Sequence, residues 1–178
     1  MHPACLDPDE LAKECRVRFS RASGPGGQHR NKVETSVVVE HLPSGLEAQA
    51  SEARQQGENR QIAMHRLRCA LAVGLRSEAS SSLSHQELSP TGPSEAWLRY
   101  CRAGRLRVAE TNPDYPRLLA EALDRLAACD WDPNNAAEHL GTSATQLVRM
   151  LAQYKPALEE LNRQLVVRGR TPRTRNRG

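Results

Sequence analysis

Aromatic residues and paired cysteines are scarce in this 178-residue chain, and both absences limit what it can be. Aromatic residues make up 3% of the sequence and Phe19 is its one phenylalanine, whereas hydrophobic residues reach 38%. A core can therefore form, but it must be built mainly from leucine, valine and alanine. The five cysteines are odd in number, widely spaced and never arranged as CxxC, which argues against a zinc knuckle or a disulfide framework. We expect free thiols in a reducing, cytoplasmic environment, with no metal and no cofactor.

Long apolar runs and a strong charge excess are also missing. No stretch approaches the length of a membrane span, and the start, MHPACLDPDE, lacks the charged and apolar regions of a signal peptide. The sequence thus predicts a protein with no membrane partner. The formal charge is +4 and the pI about 9.0, so the placement of the cations matters more than their number.

Residues 1–76 have the pattern of an α+β unit, a small β-sheet with a packed helix. Asp7 and Pro8 suit the cap and first position of a short helix. The segments VRFSRAS, TSVVVEHL and LEAQA alternate apolar and polar residues or are rich in β-branched residues, and they predict strands. Residues 55–76 predict an amphipathic helix. Its expected apolar positions are Ile62, Leu67, Leu71 and Leu75, and its expected cationic face carries Arg60, Arg66, Arg68 and Arg76.

The rest of the chain changes in composition twice. Residues 77–94 are rich in serine and predict a linker. Residues 95–166 have helical patterns broken at proline and glycine, and they predict an all-α module. Residues 167–178 contain five arginines, no acid and no periodicity, so we expect a disordered basic tail.

One segment, SGPGGQHRNK at residues 23–32, is not what a packed core needs. Glycine admits positive φ and lets a partner approach the backbone, and the cations directly after the glycines indicate an anionic partner. The spacing matches neither GxxxxGK[ST] nor GxGxxG, which argues against a nucleotide-phosphate loop. Composition alone leaves two interpretations open, a flexible hairpin tip or a functional loop.

The same residues resemble the GGQ domain of class I peptide chain release factors. The likeness includes GPGGQHRNK, with Arg21 and Ser23 before it and TSVVVEHLPSG after it. It continues through EARQQGENR, where the family has R-S-Q-x-x-N-R and Gln55 replaces the usual serine. The resemblance covers about residues 17–75. It implies hydrolysis of the ester between a nascent peptide and tRNA, in the peptidyl transferase centre of the ribosome.

The resemblance also assigns roles to single residues. The catalytic tip is Gly26, Gly27 and Gln28, in which the main-chain N–H of Gln28 would stabilise negative charge that develops on the ester oxygens. Ribosomal RNA would complete the site, so the protein alone should be nearly inert. His29 is another candidate acid or base, although the family's chemistry does not need one. Contacts to RNA phosphates are expected from the cations around the loop, which are Arg21, Arg30, Lys32, Arg54 and Arg60.

Release factors that resemble this chain carry a codon-reading domain before the GGQ domain, whereas only about fifteen residues precede the first predicted strand here. The resemblance therefore favours ribosome-rescue hydrolases and related release-factor-like proteins. The best known of these have a basic C-terminal tail that enters an empty mRNA channel. The RNA-binding candidates in the present tail are Arg168, Arg170, Arg173, Arg175 and Arg177. A solvated, disordered terminus is the alternative interpretation.

Within the helical module, NNAAEHLGTSATQLVRMLAQY resembles a helix-turn-helix of the Fis type. Ala137 is small where two helices would cross, and Gly141 permits the turn. The expected recognition helix, residues 143–154, presents Thr145, Gln146, Arg149 and Gln153. Arg149 is the one cation of this helix, and a single cation can contact few phosphates. The surrounding segments are acidic. The pattern therefore favours a compact scaffold or an RNA-docking unit over a reader of DNA sequence.

Two functions from different classes follow. The first is codon-independent, ribosome-dependent hydrolysis of peptidyl-tRNA by a monomer, with the ribosome and the peptidyl-tRNA as partners. The second is a non-catalytic ribosome- or nucleic-acid-binding protein, with the helix-turn-helix as its working part and the GGQ loop kept for docking. An intact GGQ tip favours the hydrolase, because docking alone does not require it.

Overall fold

The first part of the fold is an antiparallel sheet. The computed structural model describes residues 2–20, 35–75 and 92–174. In the first two ranges, β1 (Cys15–Ser20), β2 (Ser36–His41) and β3 (Glu47–Ala50) pair in the order β1-β2-β3. Val37 and Val39 of β2 are fully buried, as alternation along a half-buried strand requires. β1 begins two residues earlier than the predicted strand, because Cys15 pairs with His41.

Two helices accompany this sheet. α1 (Pro8–Ala12) begins where the Asp7 carboxylate accepts the Asp9 amide at 2.9 Å, a local cap of the predicted kind. α2 (Gln56–Gly74) contacts β2 and β3 and buries Ala63, Leu67 and Leu71. The predicted α+β class, with a small sheet and a packed helix, is confirmed.

α2 is covered on two sides, which the sequence did not predict. Besides the sheet, it contacts α4 (Tyr115–Ala128) of the helical part. Arg68 was expected on an exposed cationic face and is instead buried. Its Nε and Nη2 donate to Ala4 O at 3.2 and 3.0 Å, and its Nη1 donates to Pro113 O at 3.0 Å. Burial lowers the pKa of this guanidinium, while the carbonyls satisfy its donors. Arg68 thus joins the N-terminal segment, α2 and the approach to α4.

The second part of the fold is mostly helical. It contains α3 (Glu95–Tyr100), α4, α5 (Pro133–His139), α6 (Ala144–Leu151) and α7 (Lys155–Val167). A hairpin of β4 (Cys101–Arg102) and β5 (Arg105–Leu106) follows α3, so the predicted extended segment RLRVAE begins with the second strand of that hairpin. Side-chain oxygens of Ser94, Asp132 and Ser143 accept helix amides at 3.1, 2.8 and 3.3 Å. These caps explain where α3, α5 and α6 begin.

The few aromatic residues anchor the core of the helical part. Trp97 and Tyr115 are fully buried. Trp97 Nε1 donates to Leu140 O at 2.9 Å, and Tyr115 OH donates to Met150 O at 2.9 Å. Each ring therefore fills volume while its polar atom is satisfied. The buried side chains of α2 and of the helical part belong to one hydrophobic cluster. Most of the expected linker, residues 77–94, lies outside the described ranges, and the domain boundaries stay a prediction.

The cysteine thiols of this fold are chemically unreactive. All five cysteines are free thiols. Burial raises the pKa of Cys69 to about 12, and it also raises the pKa values of Cys5, Cys15 and Cys129. Cys69 Sγ lies 3.9 Å from His65 Nε2, but that nitrogen also lies 2.7 Å from Glu110 O, and burial lowers the pKa of His65. Because a protonated thiol is a poor nucleophile, this pair is structural and not a catalytic dyad.

Candidate nucleic-acid interface

The register of β1 and β2 brings together both ends of the glycine-rich segment. Ser20 pairs with Ser36 in the last rung of the ladder, so residues 21–34 leave and rejoin the sheet at one edge. The segment itself lies outside the described residues. The candidates within it therefore stay predictions, and they are Gly26, Gly27, Gln28 and His29 with the cations Arg21, Arg30 and Lys32.

A buried asparagine connects the returning end of this segment to α2. Asn59 is fully buried. Its Nδ2 donates to Thr35 O at 2.6 Å and to Ala53 O at 3.0 Å, and its Oδ1 accepts the Ala53 amide at 2.9 Å. Both donors and the acceptor are thus used. Asn59 lies in the stretch EARQQGENR, which carries part of the resemblance to the GGQ domain. The sequence alone, however, did not assign this asparagine a role.

The predicted RNA-binding residues Arg54 and Arg60 flank this asparagine anchor along the chain. Arg54 follows Ala53, Arg60 follows Asn59, and both side chains are exposed. Among the described residues, neither guanidinium forms an ion pair, so both cations are available to an anionic partner. The next exposed cation of α2 behaves differently: Arg66 pairs with Glu52 and donates to Gln49 O at 2.8 Å. The Ser51 amide, donating at 2.8 Å, and Arg66 hold the pKa of Glu52 below its usual value.

One arrangement at the β2–β3 turn has the residue types of a hydrolase triad. His41 is buried, with Nδ1 2.7 Å from Ser44 Oγ and Nε2 3.2 Å from Glu14 Oε2. Ser44 Oγ also accepts the Leu46 amide of its own turn at 3.3 Å. The serine therefore closes the turn and joins it to the segment before β1. The group supports the sheet, and the candidate chemistry stays with the glycine-rich segment.

The first part of the C-terminal tail, as far as residue 174, makes specific contacts with the helical part. The positive φ of Gly169, at 67°, turns the chain after α7. Arg168 Nε and Arg170 Nη2 then donate to the Asp130 carboxylate at 2.6 and 2.7 Å. Asn162 accepts the Arg173 amide at 2.7 Å and donates to Arg173 O at 2.9 Å. Asp130 and Asn162 thus supply partners for residues 168–173 from other parts of the sequence, and disorder of the tail as a whole stays a prediction.

These contacts divide the tail arginines into two groups. Arg168 and Arg170 are engaged by Asp130, whose pKa they hold below its usual value, the Arg168 hydrogen bond having the largest effect. The Arg173 side chain is exposed, and Arg175 and Arg177 lie outside the described residues. RNA contact by the last three arginines stays a prediction, whereas Arg168 and Arg170 would first have to leave Asp130.

We expect deletion of residues 168–178 to weaken ribosome binding and to flatten its salt dependence. Each released counterion contributes a slope of about 0.7 on single-stranded nucleic acid, so replacing Arg173, Arg175 and Arg177 by alanine should lower the slope by about 2. The change Arg168→Ala/Arg170→Ala removes two cations and would lower the slope by about 1.4 if both contacted RNA, but we expect a smaller decrease because those cations already pair with Asp130. Sedimentation of ribosome complexes across a salt series measures both slopes. Equal slopes in all variants would make the tail a solvated terminus.

The segment expected to form a helix-turn-helix is a pair of short helices joined by a tight turn. Gly141 has a φ of 63° between α5 and α6, and Ala137, Leu140 and Leu147 are buried as expected. α6 ends at Leu151, before the predicted residue 154, because Pro156 occupies the first turn of α7. Its assignment as a helix-turn-helix stays a prediction.

The exposed surface of α6 is smaller than predicted. Thr145 and Arg149 are exposed and Gln146 is half-buried. Gln153, expected to face a nucleic acid, instead donates from Nε2 to Val108 O at 3.0 Å and accepts the Glu110 amide at 3.0 Å. It therefore holds the segment after β5, and the sequence could not reveal this because the partners lie more than forty residues away.

Other kinds of site find no support in the described ranges. No three or more histidine, cysteine, aspartate or glutamate side chains within residues 2–20, 35–75 and 92–174 cluster in a way that could hold a metal ion. In the same ranges no helix combines the length and the apolar character that crossing a bilayer would need.

Comparison with known families gives a match to the RF-1 domain over residues 9–105, from α1 to the start of β5. Peptide chain release factor 1 of Dictyoglomus thermophilum is 36% identical over 90 residues, which are 51% of this chain and 23% of that protein. The mitochondrial peptide chain release factor 1-like protein of Rattus norvegicus is 36% identical over 77 residues, 43% of this chain and 21% of that protein.

A longer match extends past the RF-1 domain. Peptide chain release factor 1 of Frankia casuarinae is 29% identical over 144 residues, which are 75% of this chain and 39% of that protein. The chain therefore spans about a quarter of the first two relatives and well under half of the third.

Proposed function

The chain belongs to the RF-1 domain family, and on that premise we propose that it hydrolyses the peptidyl-tRNA ester on the ribosome. The observation that carries the proposal is the attachment of the GGQ-containing segment. Both of its ends lie at one edge of the sheet, and Asn59 holds the returning end through Thr35 O at 2.6 Å. A loop anchored in this way can present a narrow tip, while Arg54 and Arg60 beside the anchor can contact RNA phosphates.

The hydrolysis of the ester needs few chemical groups from the protein itself. Water adds to the ester carbonyl carbon, the bond from that carbon to the ribose oxygen breaks, and a proton passes to the ribose oxygen. Negative charge develops on the carbonyl oxygen and the leaving oxygen, and the main-chain N–H of Gln28 is the donor that would stabilise it. The neutral Gln28 side chain positions water without acting as a base. Ribosomal RNA supplies the rest of the site, so activity requires the ribosome.

Independence from the codon is the finer part of the proposal. The residues that carry the function contact the ester, through the GGQ tip, or phosphates, through arginines. Neither the ester nor a phosphate differs between codons. We therefore expect this chain to release peptide whatever bases occupy the A site.

Peptide release from ribosomes that hold peptidyl-tRNA in the P site tests this directly. We compare A sites filled with UAA, with UAG, with a sense codon, and with no mRNA. The release rates with the three codons should differ by less than tenfold, which corresponds to about 1.4 kcal/mol of transition-state energy. A strong preference for one stop codon would contradict codon independence. Binding without release in any state would favour the non-catalytic, ribosome-binding alternative.

A further inference from the structure

The hairpin after α3 carries three arginines on one face. Strands β4 and β5 pair Arg102 with Arg105 and Cys101 with Leu106, and the Arg107 amide extends the ladder by donating to Tyr100 O at 2.9 Å. Alternation therefore separates two faces. Cys101 and Leu106 are buried, whereas Arg102, Arg105 and Arg107 are exposed. We call residues 100–107 the arginine hairpin.

The buried face of the arginine hairpin docks on the turn between α5 and α6. The Cys101 thiol lies 3.5 Å from Gly141 O, and Thr142 Oγ1 donates to Gly104 O at 2.9 Å. The hairpin also contacts α6 through β5. Ala103 and Gly104 both have positive φ, at 48° and 74°, which gives the tight turn that two-residue hairpins favour. The tip is thus hydrogen-bonded to this turn, while its three arginines stay exposed.

The arrangement of these cations is unfavourable for the protein alone. Arg102 and Arg105 stand directly opposite one another, and like charges in that position repel. Some exposed arginines in the described residues have acidic partners, such as Arg18 with Glu47 at 2.7 Å and Arg163 with Glu160 at 2.7 Å, whereas others, such as Arg54 and Arg60, have none. Within the same described ranges, Arg102, Arg105 and Arg107 have none. An anionic partner from outside the chain would remove the repulsion.

We propose that the arginine hairpin is a second RNA-docking surface, which binds the phosphate backbone of double-stranded RNA separately from the GGQ segment. Arginine forks match phosphate geometry. The one aromatic residue of the hairpin, Tyr100, is half-buried and packs against the core, with its OH donating to Asp114 at 2.9 Å, so the hairpin offers no exposed ring for unpaired bases to stack on. Backbone contact to a duplex therefore fits better than capture of a single strand. The choice of RNA over DNA rests on the proposed function.

Binding of the 178-residue chain to a fluorescent 20-base-pair RNA duplex, followed by anisotropy over a salt series, tests the surface. The variant Arg102→Ala/Arg105→Ala/Arg107→Ala should bind about tenfold more weakly, and its salt slope should fall by about 2 to 3, since each phosphate contact contributes about 0.7 to 0.9. A charge-matched control is Lys13→Ala/Lys155→Ala/Arg163→Ala, in which each cation already pairs with a glutamate three or four residues away. The control should bind like the wild type.

A second variant separates binding from folding. Arg105→Glu places an acid opposite Arg102, so the two can pair across the strands and the melting temperature should hold or rise, while duplex binding falls. If the hairpin triple variant and the control lose the same amount of affinity for the RNA duplex, then net charge alone determines binding, and the proposal is overturned. Tighter binding to a DNA duplex of the same sequence would also overturn it. Ribosome binding that falls while duplex binding holds would indicate a protein partner instead, and would also overturn it.

Failure of this proposal is distinguishable from failure of the proposed function. Duplex binding is measured without peptidyl-tRNA, and Gly27→Ala should not change it. If Gly27→Ala retains full release, hydrolysis by the GGQ tip is wrong while the hairpin result stands. If the hairpin variants bind duplex RNA normally, the docking surface is wrong while the release measurements stand.

Discussion

Gly27→Ala abolishes peptide release and leaves folding and ribosome binding intact: this is the result we expect if the GGQ tip is catalytic. A methyl group at this position disfavours positive φ and widens a tip that has to enter an RNA cavity. It would also displace the neighbouring Gln28 N–H, and loss of one such donor typically costs a hundredfold or more, about 3 kcal/mol. The measurement is single-turnover release from ribosomes that carry peptidyl-tRNA.

Gly57→Ala is the matched control for that change. Gly57 lies in the first turn of α2, and a Cβ built there meets no atom within 4 Å. Alanine should therefore be accepted and should stabilise the helix by up to about 1 kcal/mol, with release unchanged. Gln28→Ala should reduce release less than Gly27→Ala, because the backbone N–H survives. Full release by Gly27→Ala would refute the catalytic role of the tip.

We expect Asn59→Ala to reduce release by ten- to a hundredfold, because it removes the anchor of the GGQ segment. The change leaves Thr35 O and both backbone groups of Ala53 without the side-chain partners that they have at 2.6 to 3.0 Å. Unsatisfied buried groups cost about 1–3 kcal/mol each, so the free energy of unfolding should also fall. A displacement of about 1 Å in a positioned group can cost a hundredfold in rate.

The Asn59 prediction distinguishes positioning from stability alone. Urea unfolding gives the fraction folded, and release is then measured at a temperature where the variant is folded. The maximal rate should fall while the concentration for half-maximal rate changes little, since Arg54 and Arg60 remain. Gln61→Leu serves as control, because Gln61 is exposed on the same helix and should change stability by less than about 0.5 kcal/mol. A stability loss with an unchanged rate would leave Asn59 a purely structural residue.

Local patterns predicted most of the secondary structure. The β-branched run before the PSG turn forms β2, the Asp7-Pro8 pair begins α1, and residues 56–74 of the expected 55–76 form α2. Alternation and capping act between near neighbours, so a sequence displays them directly. The resemblance to the GGQ domain, and not alternation or capping, singled out the GGQ segment and the arginines Arg54 and Arg60, but it could not place residues 21–34 in space.

Long-range contacts account for the errors. Helical spacing places Arg68 on the cationic face of α2, yet the N-terminal segment and the approach to α4 bury this one arginine of the face. In the sequence Arg168 and Arg170 belong to a basic tail, but in the fold both pair with Asp130, 38 and 40 residues away. Gln153 has a place on an expected recognition helix and instead holds the chain after β5. In each case the deciding partner is distant in sequence.

The sequence by itself determined the family resemblance and the α+β class, because motif residues and short-range periodicity occupy consecutive positions. Only the tertiary structure decided that Asn59 anchors the returning end of the GGQ segment at Thr35. It also decided which arginines are paired with acids and which, at Arg102, Arg105 and Arg107, are left exposed on one face of a hairpin. The physical reason is that ion pairing and burial depend on which distant segments the core brings together, and no local pattern encodes that juxtaposition.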